Sequence, residues 1–138
     1  MTRWLSSLFV LAVVVLATGR GILAGEVASL LLLALGVGIA WWLSPLNGRG
    51  SPRHRDVTDD PQVRVVIYWR PGCTFYARLR LALGSARKQA TWVSIWADPE
   101  AAAYVRSVND GNETVPTVVI DGRPHTNPDP QLVRTALG

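Results

Sequence analysis

Val63-Arg64-Val65-Val66-Ile67-Tyr68-Trp69-Arg70-Pro71-Gly72-Cys73-Thr74-Phe75-Tyr76 joins a strand pattern to a helix pattern across a single turn. Its first half is a β-branched run suited to a buried central strand. Pro71-Gly72 marks a turn. Beyond it Phe75, Leu79, Ala82 and Leu83 recur at i, i+4, i+7 and i+8, one face of a helix, while Arg78, Arg80 and Arg87 face elsewhere. Cys73, the only cysteine of the chain, therefore sits where a strand gives way to a helix. There it meets unpaired N–H groups and the positive end of the helix dipole, a setting that favours a nucleophilic sulfur. Tyr76 stands three residues on, where a C-x-x-C motif carries its second cysteine, so any chemistry here runs on one thiol.

Working outward toward the C-terminus, Thr91 to Trp96 alternates like a second strand, and Asp98-Pro99-Glu100 is a helix start with Asp98 as N-cap and Pro99 at the first helical position. That helix runs through Val108 and closes at Asn109-Asp110-Gly111-Asn112. Thr117 to Ile120 is a third strand, Asp121-Gly122 a turn, and Asn127-Pro128-Asp129-Pro130 precedes a last short helix ending near Leu137. Residues 62–138 thus read as an alternating α/β domain.

Toward the N-terminus the composition changes. No charge occurs from Trp4 to Ala17 or from Val27 to Leu43, and Arg20 and Glu26 lie in the connection between these runs. Residues 1–43 are expected to form two membrane helices, about 4–19 and 24–43; Val27–Leu43 gives about 25 Å of helix against a hydrocarbon core of ~30 Å. A signal peptide fits the first run too, with Arg3, the apolar stretch Leu5 to Ala17 and the small residues Ala17-Thr18-Gly19. A second span following at once favours a retained helix. Trp4, Trp41 and Trp42 at the ends of the runs suit interfacial anchors, and Arg49, Arg53 and Arg55 after the second run, with Arg3 at the start, predict a cytoplasmic face for both termini at the cell (inner) membrane. Residues 44–61, rich in Pro, Gly, Arg and Asp, read as a flexible linker of roughly 20–25 Å.

The segments Tyr68 to Tyr76, Asp98-Pro99-Glu100-Ala101-Ala102, Asn112-Glu113-Thr114-Val115-Pro116-Thr117 and Thr126-Asn127-Pro128 together resemble actinobacterial glutaredoxin-like proteins of the mycoredoxin type. The resemblance covers almost all of residues 61–138. It implies a thioredoxin-like (glutaredoxin) α/β fold behind the helical hairpin, Cys73 as nucleophile, and a cis Val115–Pro116 bond facing it. It also implies that the Val115 backbone pairs with the cysteinyl part of a bound low-molecular-weight thiol, mycothiol by resemblance and glutathione by chemistry. Arg70 is expected to add positive charge, Trp69 and Tyr76 to wall the site, and Thr126 and Asn127 to flank the ligand groove.

The function expected is a membrane-anchored monothiol oxidoreductase acting on mixed disulfides between proteins and a small thiol, with that thiol as co-substrate and no tightly bound cofactor. Two readings from other classes stand beside it: a [2Fe–2S] carrier using Cys73 from two chains, against which the bulk of Tyr76 argues, and a noncatalytic interaction module. His54 and His125 are isolated and one cysteine makes no intrachain metal set. The charge of +4, divided as +1 over residues 1–60 and +3 over 61–138, is too small to point to nucleic acid, though the basic cluster suits membrane lipid.

Overall fold

The computed structural model describes residues 4–138. Arg3, used in the charge reading, lies outside them. The chain forms two compact units, Met1–Asn47 and Gly48–Gly138.

In the first unit, α1 (Leu5–Leu23) and α2 (Val27–Trp42) are joined by three residues. α1 continues four residues beyond the expected limit of 19, because nothing in Arg20-Gly21-Ile22-Leu23 stops a helix; the break comes at Gly25, whose φ of 75° places it in the left-handed region. The two helices fold back on one another through small residues. Side chains on Gly21 and Gly36 would collide with Ser29 and Val14. Ser7, Thr18 and Ser29 are buried, and the Ser7 and Thr18 hydroxyls donate to the carbonyls of Trp4 (3.0 Å) and Val14 (2.7 Å). By length and composition α1 is able to cross a membrane; α2 is apolar but only 16 residues long.

In the second unit β1 (Val65–Trp69) is central and wholly buried. It pairs in parallel with β2 (Thr91–Ser94), Val66 opposite Thr91, and antiparallel with β3 (Thr117–Ile120), Val65 opposite Ile120. β4 (Arg123–Thr126) completes the order β2-β1-β3-β4. Alternation along β1 divides the core. Val66 and Tyr68 pack with Val93 against Ala101, Ala102 and Val105 of α5 (Pro99–Ser107). Val65 and Ile67 pack against Leu79 and Leu83 of α4 (Thr74–Leu83) and Val133 of α6 (Pro130–Leu137).

The caps form as the local sequence dictates. Asp98 accepts from the Glu100 N–H at 2.9 Å and Asp129 from the Gln131 N–H at 2.7 Å, each with proline at the start of its helix.

Two expectations are corrected. Residues 44–61 are not a free coil. A 3-10 turn over Pro45–Gly48 is followed by α3 (His54–Thr58), whose Val57 is buried among Val66, Tyr68, Ala101 and Val105. Ser51 Oγ accepts from the Ser94 N–H (3.0 Å), the His54 N–H donates to the Asp98 carboxylate (2.7 Å), and the His54 ring stacks on Tyr104 at 4.8 Å. A five-residue helix held by one apolar side chain shows no periodicity, which is why composition alone suggested a linker.

The face of α4 keeps Leu79 and Leu83 inward but differs at its first position. Tyr76 is buried and Phe75 is 52% exposed, because the aromatic partners Trp69 and Trp92 lie under Tyr76.

Candidate functional site

Cys73 ends the turn after β1 and is the N-cap residue of α4. Gly72 before it has φ of 73°, a left-handed turn position that glycine occupies without strain. This geometry brings a free, half-buried thiol to the end of the sheet. Its Sγ makes no cap bond to the helix N–H groups. It donates instead to the Val115 carbonyl at 3.3 Å, 42 residues away.

The Val115–Pro116 peptide bond is cis. The Val115 N–H donates to no backbone carbonyl among the described residues, so this backbone donor is unpaired near the thiol. The Pro116 carbonyl accepts from the Asn127 N–H at 2.8 Å, which ties the loop after β4 to the proline loop. Cys73, Val115, Pro116 and Asn127 are thereby linked in one chain of contacts. Next to them the first turn of α4 and the segment Asn127–Pro130 enclose a depression of about 370 Å³, with Phe75 and Arg78 on one side. A left-handed Asn127 (φ 44°) shapes its edge.

The remaining candidates are placed differently. The Thr126 hydroxyl is taken up internally by a hydrogen bond to the Asn109 side-chain carbonyl. Trp69 and Tyr76 stack on each other at 4.6 Å and line a cavity of their own with Arg80, Arg87, Lys88 and Trp92. Strand alternation explains this, since Trp69 shares the Val65 and Ile67 face whereas Cys73 packs with the Tyr68 and Val115 cluster. Arg70 is half-buried beyond the end of β1 and has no carboxylate partner among the described residues.

One supporting residue was missed by sequence reasoning. Buried Asn109, taken there as a helix-closing residue, donates to the Val105 carbonyl (2.7 Å) and the Thr117 hydroxyl (3.0 Å), and Thr117 donates to the Thr114 carbonyl (2.8 Å). This network fixes the Thr114-Val115-Pro116 loop from behind. Beyond the Val105 carbonyl one turn back, its partners Thr117 and Thr126 lie on β3 and β4, so no local signal announces it.

On the α3 side His54 Nδ1 lies 2.7 Å from the Tyr68 hydroxyl, and Tyr68 and Tyr104 are tilted rings 5.2 Å apart. Burial, then Tyr104 and Asp98, pushes the Tyr68 phenol far above its ordinary range, and burial raises Tyr104. A cavity of about 490 Å³ borders this trio without including Cys73. No three His, Cys, Asp or Glu side chains come together as a metal set among the described residues.

Comparison with known proteins agrees with this arrangement. The glutaredoxin family model matches residues 65–125, from the start of β1 to β4. Two proteins of Mycobacterium tuberculosis named "Putative glutaredoxin", from strains CDC 1551 and H37Rv, are each 40% identical over 74 residues, which is 53% of this chain and 88% of theirs. No solved structure matches the chain. The family model falls on the unit that carries Cys73 and the cis-proline loop, and with two relatives at 40% identity over 88% of their length the chain belongs to the glutaredoxin family.

Proposed function

We propose that the protein is a monothiol oxidoreductase that removes a small thiol from protein mixed disulfides. Family membership supports a thiol–disulfide oxidoreductase role, and glutaredoxins in general use a low-molecular-weight thiol with protein disulfide substrates. The observation that carries the monothiol reading is the position of Cys73 Sγ, 3.3 Å from the Val115 carbonyl and near an unpaired backbone donor, with a buried tyrosine where a second sulfur would stand.

Cys73 thiolate attacks the small-thiol sulfur of a protein–S–S–R disulfide. The Cys73–S–S–R bond forms, and the protein sulfur leaves as a thiolate that takes up a proton. A second R–SH, losing its proton, attacks the R sulfur of that adduct, releasing R–S–S–R and Cys73 thiolate. The small thiol carries the reducing electrons, so no resolving cysteine is needed. Val115 offers its N–H and C=O to the cysteinyl backbone of the bound thiol in the manner of an added strand. Asn127 and the depression beside it take the rest of that molecule, with Arg70 and Thr126 at its margins. Mycothiol is the thiol proposed, on the resemblance of residues 61–138 to mycoredoxin-type proteins.

The same proposal places the protein at the cell membrane through the first unit, with the thiol unit on the cytoplasmic side. The length of α1, its outward leucines, and Arg49, Arg53 and Arg55 support it. The test is turnover by the full chain of a peptide mixed disulfide with mycothiol or glutathione as reductant. Turnover with mycothiol that vanishes in Cys73→Ser is expected. Equal rates for wild type and Cys73→Ser refute the reading.

A further inference from the structure

Between Pro61 and Ala97 the chain carries six cations and no aspartate or glutamate. Arg64 is neutralised by Asp121 at 3.0 Å, but Arg80, Arg87 and Lys88 have no carboxylate within ion-pair reach among the described residues. These three cations border one cavity of about 300 Å³ whose other walls are Trp69, Tyr76 and Trp92.

The walls are fixed before any ligand arrives. Tyr76 is stacked on Trp69 and meets Trp92 edge-on at 5.7 Å, and its hydroxyl accepts from Arg80 Nη1 at 2.6 Å. Trp92 Nε1 donates to the Arg87 carbonyl at 2.8 Å, which ties the 3-10 turn Gly84–Lys88 to β2. Trp69, 8% exposed, keeps its Nε1–H buried without an acceptor among the described residues.

Uncompensated like charges around a partly enclosed, aromatic-walled space repel one another and attract an anion, most of all a doubly charged one. Guanidinium forks match phosphate oxygens in a bidentate manner, and Lys88 adds a point charge. The ring faces suit a flat or apolar body attached to that anion. We propose that this cavity is a phosphate-binding site, taking the dianionic phosphate of a phosphomonoester whose body packs on the aromatic wall. It stands apart from the thiol chemistry, since Cys73 does not line it. A soluble phosphomonoester and a lipid phosphate headgroup share this chemistry.

The test uses the full chain carrying Cys73→Ser, labelled with 15N at its indoles, in phosphatidylcholine nanodiscs. The Trp69 and Trp92 indole N–H signals are followed during titration with phenyl phosphate, with inorganic phosphate, and with sodium chloride at matched ionic strength. A parallel sample replaces part of the phosphatidylcholine by phosphatidic acid. Saturable shifts with phenyl phosphate, weaker with inorganic phosphate, are expected for a soluble ligand, and shifts confined to the phosphatidic acid sample for a lipid headgroup; both uphold the site.

In the Arg87→Ala/Lys88→Ala double variant binding is expected to weaken about tenfold or more through lost charge-assisted hydrogen bonds. The backbone carbonyl that holds Trp92 remains there, and the other indole signals report the fold. Arg87→Lys, which keeps the charge, retains binding. Shifts absent from all of the arms, shifts that chloride reproduces, or shifts that persist unchanged in the double variant overturn the proposal.

Discussion

The two units use the same apolar side chains in opposite ways. In α1 and α2 the leucines point outward, Leu16 at 83% and Leu23 at 90% exposure, while serine, threonine and glycine fill the contact between the helices. In the thiol unit Ile67, Val93 and Val118 are completely enclosed and the charges lie outside. Hydroxyls bonded to the preceding turn of their own helix satisfy the inward face of the first unit, as any buried polar group requires. The second unit follows the ordinary logic of a water-soluble core. The difference teaches that the apolar fraction of this chain does two jobs, and that the boundary between them falls at residue 48 rather than at 62.

The largest effect expected from that boundary is on where the thiol unit can be cut. A fragment 48–138 should unfold cooperatively, whereas 62–138 should be largely unfolded. Removing α3 forfeits burial of Val57, about 1.5–3 kcal/mol. It also forfeits the bonds of Ser51 and His54 to Ser94, Asp98 and Tyr68, about 1 kcal/mol each. The sum is comparable with the total stability of a small domain, ~5–15 kcal/mol. Urea unfolding of the two fragments checks this, and equal stability would restore the linker.

Next in size is a pair of substitutions that contrasts the units. Ile67→Ala should cost about 2–5 kcal/mol, the usual range for a fully buried aliphatic side chain. Leu31→Ala, on the outward face of α2 at 67% exposure, should leave unfolding unchanged, because alanine is the better helix former and no packing is lost. Thermal unfolding of the full chain in detergent measures both.

A smaller effect is the alkaline limb of stability. The folded Tyr68 phenol is raised above its ordinary 10.0, so above pH 10 the unfolded chain gives up a proton that the folded one keeps. Its contribution is therefore complete below pH 10 and falls as pH rises, at ~1.4 kcal/mol per pH unit. Tyr68→Phe should flatten that limb between pH 10 and 11, leaving the part due to Tyr104, and should lower the neutral plateau slightly through the lost His54 contact. An unchanged alkaline slope would show that the phenol is not enclosed.

Legibility of these features in the sequence follows how local their causes are. β1, the start of α4 at Cys73 and the cap at Asp98 depend on neighbours in the chain, and the sequence predicts them. The buried ring of α4 was misassigned, since Phe75 and Tyr76 are adjacent and the choice between them is made by Trp69 and Trp92 on two strands. That Asn109, a partner 17 residues away, holds the Thr126 hydroxyl is likewise a long-range fact with no local signal. β4 carries proline and histidine with little β-propensity, and it exists because the edge of β3 offers it a register from Thr117–Thr126 to Ile120–Arg123.

The monothiol reaction of Cys73 is tested most directly by the intact mass of the full chain after brief exposure to mycothiol disulfide and, separately, glutathione disulfide. One mycothiol mass added per chain is expected, formed faster than on an unfolded cysteine peptide, removed by excess mycothiol, and absent in Cys73→Ser. No adduct, or one formed no faster than on the unfolded peptide, would contradict it and leave the thiol unit as a noncatalytic module.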